Sequence, residues 1–84
     1  MRYNFTLYDP GACTVYVVGD FNGWNAYSHP LKKDSKGKWK LTLSLTPGRY
    51  EYLFLVDDQW KSDPRCTDLT PNIFGGENCV VMIT

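Results

Sequence analysis

The chain has 84 residues with nine basic and nine acidic side chains, so its formal net charge at pH 7 is zero. A neutral chain has no long-range field to draw it onto DNA or an anionic membrane, and no apolar run approaches the ~20 residues of a membrane span. Neither nucleic acid nor a membrane is therefore expected as a partner, and a chain this short predicts a single domain over residues 1–84.

The N-terminal third predicts two strands and a turn. Residues 3–7 alternate apolar and polar side chains, which indicates a strand with one buried face, and the β-branched run at 15–18 indicates a strand in a sandwich core. Gly19 ends or bulges this second strand. The Asn-Gly pair at 22–23 is typical of a tight turn with positive φ, and it delivers Trp24 into a polar loop. Trp24 is then either a lid on a core edge or a flat contact surface.

Residues 32–40 contain five lysines, a density that would suit a patch for phosphate or nucleic acid. However, the segment 34–37 has the composition of a hairpin tip, where lysines also discourage edge-to-edge pairing of strands. Beyond the tip, apolar and polar residues alternate, which puts Trp39 in the core and Lys40 on the wet face. We therefore interpret the lysines as a solvated surface.

The strongest strand pattern covers residues 50–56. Its aromatic residues and valine fall on one face and should point into the core, which leaves Leu53 and Leu55 on the opposite face. Two leucines on an outer face indicate either cover by another segment or a contact surface. A turn at 57–58 then leads to Trp60, the second tryptophan in a turn context.

The remaining chain completes an all-β pattern. Residues 62–72 form a long polar connection with two prolines, a glycine pair at 75–76 permits a tight bend, and 79–83 is a final buried strand. No segment of ten or more residues has helical periodicity. The pattern predicts an all-β fold with no helix, an antiparallel immunoglobulin-like β-sandwich of about seven to eight short strands.

The distribution of thiols and imidazole argues against a metal site. The one histidine, His29, is isolated, and the three cysteines, Cys13, Cys66 and Cys79, are irregularly spaced. Zinc sites of the usual kind need such ligands in close pairs, so neither a metal nor another cofactor is expected. An odd number of thiols behind an N-terminus without a signal-peptide pattern fits a reducing cytoplasm. We expect a cytoplasmic protein whose cysteines are buried or half-buried.

The sequence offers no catalytic constellation either. His29 has no second group to orient it as a base. Four aspartates lie close in sequence, but a small sandwich has no deep groove to hold a sugar between two carboxylates. These residues, Asp57, Asp58, Asp63 and Asp68, are interpreted as turn formers. A catalytic role is therefore not expected, and a binding surface is the remaining option.

The two turn tryptophans suggest what such a surface would bind. Trp24 and Trp60 each follow a strongly apolar strand, and they would flank a shallow patch if those strands lie in one sheet. Pyranose rings are apolar on their CH faces and polar at their edges, so they suit flat indoles with amides nearby. Each aromatic stack contributes on the order of 1–3 kcal/mol by analogy with bases, and two stacks predict a Kd of roughly 10 µM to 1 mM.

Several segments together resemble a known family. Residues 19–24 are similar to its G-x-F-N-x-W element, and residues 50–60 are similar to its Y-x-Y-x-F-x-V-D-G-x-W element. An Asp-Pro pair at 63–64 and a Gly-Gly-Glu-Asn run at 75–78 follow at the expected places. Over residues 13–83 the chain thus resembles the family-48 carbohydrate-binding modules. These are early-set immunoglobulin-like domains found in glycogen branching and debranching enzymes, isoamylases, pullulanases and the β subunit of AMP-activated protein kinase.

The resemblance implies binding of an α-1,4-glucan such as glycogen, starch or a maltooligosaccharide. By the same resemblance, Trp24 and Trp60 would stack on glucose units, and Asn78 would contact sugar hydroxyls. Phe74 would stand in for a leucine that inserts into the sugar helix. Leu53 occupies the place of a lysine that hydrogen-bonds sugar, so an apolar contact replaces a polar one there.

Two further departures and one alternative accompany the resemblance. Gly76 replaces a threonine, and Asp58 stands where the family usually has glycine, which would alter the hairpin that aims Trp60. In enzyme-linked members the module often packs on the catalytic domain. The alternative is therefore a protein-docking or scaffolding domain associated with a glycogen- or starch-processing enzyme of glycoside hydrolase family 13, using exposed Leu53 and Leu55.

Overall fold

The computed structural model describes residues 1–72 and 75–84, which form two antiparallel sheets. Phe74 lies outside the described residues. Within these ranges there is no α-helix, only a three-residue 3-10 turn at Asp20–Asn22. The eight strands are β1 (Arg2–Tyr8), β2 (Val15–Gly19), β3 (Lys32–Lys33), β4 (Lys38–Ser44), β5 (Gly48–Val56), β6 (Gln59–Lys61), β7 (Leu69–Pro71) and β8 (Glu77–Ile83). The predicted all-β antiparallel sandwich is confirmed.

Strand β5 is the centre of the larger sheet. The smaller sheet has the strand order β1-β4-β3, and the larger has β2-β5-β8-β7 with β6 also paired to β5. β2 pairs with residues 52–56 along one edge of β5. Along the other edge, β8 pairs with residues 48–52 and β6 with residues 54–56. Side chains from β2, β6 and β8 therefore meet around the same stretch of β5.

The core lies between the two sheets and is rich in aromatic rings. Phe5 from the smaller sheet packs edge-on against Tyr52 of β5, with ring centroids 5.1 Å apart. Trp39 is buried as predicted, and its indole Nε1 donates a 2.8 Å hydrogen bond to the carbonyl oxygen of Asp9. Lys40 lies on the solvent face, so the alternating pattern after the hairpin tip is confirmed.

Leu53 and Leu55 are on the outer face of β5 but are not exposed, with 9% and 4% of their surface accessible. Tyr16 of β2 and Trp60 of β6 stand opposite Leu55 on its two sides. Cross-strand neighbours on one face pack within contact distance, so these rings cover the leucine. Of the two alternatives that the sequence left open, cover by other segments is the one observed, and the expectation of two exposed leucines is wrong.

Two other sequence-based expectations differ from the structure. The connection 62–72 contains a short strand, β7, which pairs with β8. β7 forms the edge of its sheet, where a proline such as Pro71 is tolerated because its missing N–H faces away from the ladder. Cys13 is exposed rather than buried, whereas Cys66 is half-buried and Cys79 is buried.

Candidate functional site

A groove of about 1040 Å³ lies on the outer face of the five-stranded sheet. Four of the five residues that the sequence singled out line it: Trp24, Leu53, Trp60 and Asn78. They come from a loop after β2, from β5, from β6 and from β8, so the sheet topology is what gathers them. The fifth, Phe74, is outside the described residues.

Trp24 is held at one side of the groove by the turn that follows β2. Gly23 has φ 62° and Trp24 has φ 60°, so both adopt the left-handed conformation. The Trp24 N–H donates a 2.9 Å hydrogen bond to the carbonyl oxygen of Gly19. Its indole Nε1 donates a 3.1 Å hydrogen bond to Oδ1 of Asp20. Trp24 is 38% exposed, so it forms a partly covered wall of the groove and is not a lid sealed onto the core.

The turn is anchored to β5 by close backbone contact and by side-chain hydrogen bonds. Oδ2 of Asp20 accepts a 2.9 Å hydrogen bond from the Glu51 N–H. The Asn22 side chain accepts from the Gly19 N–H at 3.1 Å and donates to the Val17 carbonyl oxygen at 3.1 Å. Gly19 ends β2 as predicted, and a Cβ there would overlap the carbonyl oxygen of Glu51. The turn can approach β5 this closely only because residue 19 has no side chain.

Trp60 stands at the other side of the groove on a tight hairpin. Two residues, Asp57 and Asp58, connect β5 to β6, and both have positive φ, 48° and 65°. This is the geometry of a type I′ turn, which suits the right-handed twist of the flanking strands. The aspartate at position 58 therefore keeps a two-residue hairpin although glycine is usual there. Trp60 is 55% exposed.

The carboxylate of Asp57 fastens this hairpin to the loop before β2. Its Oδ1 accepts 2.8 Å hydrogen bonds from the backbone N–H groups of Cys13 and Thr14. These two bonds favour the charged form and lower the pKa of Asp57. The hairpin and the neighbouring loop are thus tied together at the end of the sheet that carries Trp60.

The floor of the groove is apolar in its middle and polar at one end. Leu53 supplies the apolar part. At the polar end Asn78 is 7% exposed, and both ends of its amide are engaged. Its Oδ1 accepts from Asn72 at 3.2 Å, and its Nδ2 donates to Oε1 of Glu51 at 3.2 Å. Oε2 of Glu51 accepts from Arg49 at 2.8 Å. Asn78 is therefore held within a network of side-chain hydrogen bonds that runs along the sheet.

The groove has more acidic than basic side chains. Asp20, Glu51 and Glu77 line it, and Lys61 is the basic residue among its described lining residues. Carboxylates accept hydrogen bonds from hydroxyl groups, and side-chain amides both accept and donate them, whereas a negative lining repels anions. The surface is chemically suited to a neutral polyhydroxylated ligand.

Sequence reasoning missed Asp20 and Glu51 as parts of this site. Both are polar residues within their segments. Their roles depend on two long-range hydrogen bonds: one joins Asp20 to Glu51, 31 positions further along the chain, and the other joins Glu51 to Asn78, 27 positions further along. Asp20 had one local signal, because it precedes Trp24 by four residues at the start of a tight turn. For Glu51, the one signal in the sequence was its position on the outer face of β5.

Nothing in the described ranges indicates a metal centre or a membrane span. No group of three or more His, Cys, Asp or Glu side chains within residues 1–72 and 75–84 is arranged to hold a metal ion. In the same part of the chain, no helix is long and apolar enough to cross a membrane.

Comparisons with known proteins agree on one family. The family model described as the glycogen recognition site of AMP-activated protein kinase matches residues 3–84. Protein PTST homolog 2, chloroplastic, from Arabidopsis thaliana is 40% identical over 86 residues, covering 100% of this chain and 15% of the relative. Protein FLOURY ENDOSPERM 6, chloroplastic, from Oryza sativa subsp. japonica is 32% identical over 84 residues, covering 100% and 15%.

A bacterial enzyme shows the same likeness over a shorter alignment. The 1,4-alpha-glucan branching enzyme GlgB 2 of Xanthomonas campestris pv. campestris (strain 8004) is 40% identical over 74 residues, which cover 80% of this chain and 10% of the enzyme. The chain thus spans between 10% and 15% of the length of these curated relatives.

Proposed function

Because the chain belongs to the family of the glycogen recognition site of AMP-activated protein kinase, a family of carbohydrate-binding modules, we propose that it binds an α-1,4-glucan through Trp24 and Trp60. In this proposal the domain is a binding module without catalytic activity, and it needs no cofactor. Its ligand is a stretch of glycogen, starch or maltooligosaccharide.

The observation that carries the proposal is that two exposed indoles line one groove with an apolar floor. Trp24 comes from the turn after β2 and Trp60 from β6, on opposite edges of β5, and Leu53 lies between these edges. A glucan strand laid across β5 would meet an aromatic face at each side. Aromatic stacking of this kind is worth on the order of 1–3 kcal/mol per ring by analogy with bases.

The polar end of the groove supplies the second element of recognition. The Asn78 amide and the Glu51 carboxylate are held by each other and by neighbouring side chains, so a hydroxyl would meet groups with fixed orientation. Preorganised groups bind more tightly because less side-chain freedom is lost on binding. Two stacks with a few partly exposed hydrogen bonds fit a Kd of roughly 10 µM to 1 mM.

Some finer predictions remain proposals. The role of Phe74 as an apolar residue that inserts into the sugar helix rests on the family resemblance alone. That residues 1–84 act as one independent domain is likewise a prediction. A cytoplasmic location also stays a prediction, since two of the relatives are named as chloroplastic.

Affinity electrophoresis in glycogen-containing gels tests the proposal. The wild-type domain should be retarded, and Trp24→Ala and Trp60→Ala should each lose most of the retardation. Tyr8→Ala is the matched control because Tyr8 is an exposed aromatic residue on the other sheet. A titration with maltoheptaose followed by tryptophan fluorescence gives the Kd. If the wild type and Trp60→Ala migrate alike with and without glycogen, the proposal fails.

A second candidate function is docking to a glucan-processing enzyme. It is favoured by the likeness to a short part of a 1,4-alpha-glucan branching enzyme. It no longer has the support of two exposed leucines, because both are covered. Co-purification of the domain with a family-13 glycoside hydrolase, unchanged by Trp24→Ala and Trp60→Ala, would favour docking over sugar binding.

A further inference from the structure

The two tryptophans of the groove are held in different ways. The indole N–H of Trp24 is occupied by the Asp20 carboxylate at 3.1 Å. No acceptor for the indole N–H of Trp60 lies within residues 1–72 and 75–84, and the ring is the more exposed of the two. Within the described residues, the polar edge of Trp24 is thus fixed by a carboxylate, whereas that of Trp60 is not.

The Asp20 carboxylate connects Trp24 to the sheet. One oxygen accepts from the indole of Trp24, and the other accepts from the backbone N–H of Glu51 at 2.9 Å. Glu51 belongs to β5, the central strand of the sheet, and its own side chain holds Asn78 at 3.2 Å. The Asp20 carboxylate therefore fixes the position of the Trp24 ring relative to β5. The same strand, through Glu51, orients Asn78 at the polar end of the groove.

The backbone at Trp24 is also unusual. A bulky residue with φ 60° is uncommon, and such a conformation persists only where the surrounding structure enforces it. Here the enforcing contacts are the bond from the Trp24 N–H to Gly19 and the bond from its indole to Asp20. Strained positions of this kind cluster at binding sites, because they hold a side chain where the ligand needs it.

We propose that Asp20 is a positioning residue for glucan binding: it holds the Trp24 ring so that the ring face, with its N–H edge already satisfied, is presented to a glucose unit. This inference rests on the proposed function. Asp20 does not stack on the sugar; it acts through Trp24. The alternative is that Asp20 only stabilises the turn, and the two roles predict different results in a double-mutant cycle.

The double-mutant cycle combines Asp20→Ala with a phenylalanine substitution at each of the two groove tryptophans, Trp24 and Trp60. Trp24→Phe keeps a flat ring but has no N–H for Asp20 to hold, whereas Trp60→Phe leaves the Asp20–Trp24 contact intact. Freeing one aromatic side chain should weaken maltoheptaose binding by about three- to tenfold. We expect that loss when Asp20→Ala is made in the wild type and in Trp60→Phe. In Trp24→Phe the same change should alter the Kd by less than about twofold.

Maltoheptaose titrations followed by NMR measure these weak affinities and also report on the ring. The three indole N–H signals are assigned with the phenylalanine variants of Trp24, Trp39 and Trp60. In the wild type, the Trp24 indole proton should exchange with solvent more slowly than that of Trp60. Asp20→Asn retains an acceptor oxygen and should lose less affinity than Asp20→Ala, which is the rescue expected of a positioning role.

The outcomes distinguish a failure of the inference alone from a failure of the proposed function. An equal loss of affinity from Asp20→Ala in all three backgrounds would show a purely structural role and overturn the inference while glucan binding stands. If Asp20→Ala does not fold, the exchange rates of the wild type decide. A Trp24 indole proton that exchanges with solvent as fast as that of Trp60 overturns the inference. If the wild type does not bind maltoheptaose at all, the proposed function fails and the inference fails with it.

Discussion

The phenolic hydroxyl of Tyr52 donates a 2.8 Å hydrogen bond to Oδ2 of Asp63 in the buried core. Burial and then this bond to the carboxylate raise the pKa of Tyr52 far above its ordinary value, so the phenol stays protonated. Oδ1 of Asp63 accepts from the Arg65 N–H at 2.9 Å. The pair joins β5 to the start of the connection that leads to β7.

Tyr52→Phe should destabilise the fold without weakening glucan binding. The substitution keeps the ring but leaves Oδ2 of Asp63 buried without its donor, which costs about 1–3 kcal/mol. Urea unfolding measures the change in the free energy of unfolding. Tyr8→Phe is the control, since Tyr8 is exposed and should shift stability by less than about 0.5 kcal/mol. A similar small shift for Tyr52→Phe would contradict the importance of the buried pair.

Gly19→Ala should destabilise the contact between the turn and β5. A Cβ at Gly19 would overlap the Glu51 carbonyl oxygen and lie 2.8 Å from Cβ of Tyr52, so the strands must separate locally. Overpacking of this kind costs typically about 1–3 kcal/mol. Thermal unfolding tests it, with Gly11→Ala as the control, because a Cβ there meets nothing closer than 4.0 Å. Equal melting temperatures for the two variants would argue against the close approach.

Acid should weaken the fold in a window set by carboxylates that accept backbone hydrogen bonds. The N–H groups of Lys38 and Lys36 lower the pKa of Asp34 to about 2, and the Lys40 ammonium 3.2 Å away adds to the effect. The folded pKa is below the unfolded value of ~3.9, so the stabilisation is complete above that pH. It is lost as the pH falls from about 4 towards about 2.

Melting temperatures recorded between pH 7 and pH 2 measure this loss. Asp34→Asn cannot titrate, so its curve should be flatter than that of the wild type between pH 4 and pH 2. The pKa of Asp57 is also lowered, and Asp57 still titrates in that variant, so part of the dependence of melting temperature on pH remains. Parallel curves for Asp34→Asn and the wild type would show that Asp34 contributes nothing to the acid sensitivity.

Local patterns in the sequence predicted the parts of the fold that local physics decides. The alternation at Trp39 and Lys40 sets which face is buried, and the Asn22-Gly23 pair fixes a turn with positive φ. β7 (Leu69–Pro71) was not predicted because three residues that include a proline are too few to show an alternating strand pattern of their own. This segment is a strand because it pairs with β8 in register, and pairing partners are not visible in a single segment.

The candidate site was predictable only in part for the same reason. Trp24 and Trp60 stood out because an indole in a polar turn lacks a structural explanation in the sequence. The covering of Leu55 depends on Tyr16 and Trp60, which reach it from two different strands. The bonds from Asp20 to Glu51 and from Glu51 to Asn78 likewise join distant segments. Such contacts arise from topology, so their residue types can be read from one segment but their partners cannot.

The hairpin that carries Trp60 gives a matched pair of substitutions with opposite expected results. Asp58 has φ 65°, a left-handed conformation that glycine adopts without strain. Among residues 1–72 and 75–84, the one hydrogen-bond partner of its carboxylate is the hydroxyl of Tyr27, at a long 3.5 Å. Asp58→Gly should therefore stabilise the domain by about 0.5–1 kcal/mol. Thermal or urea unfolding measures the gain.

Asp57→Gly relieves a similar backbone conformation but removes a carboxylate that holds other backbone groups. Asp57 has φ 48°, and its Oδ1 accepts from the N–H groups of Cys13 and Thr14 at 2.8 Å. The loss of two charge-assisted bonds outweighs the relief of strain, so this variant should be less stable than the wild type. If both glycine variants were more stable than the wild type, backbone strain alone would govern the turn. The Asp57 carboxylate would then not be what fastens the Trp60 hairpin to the loop before β2.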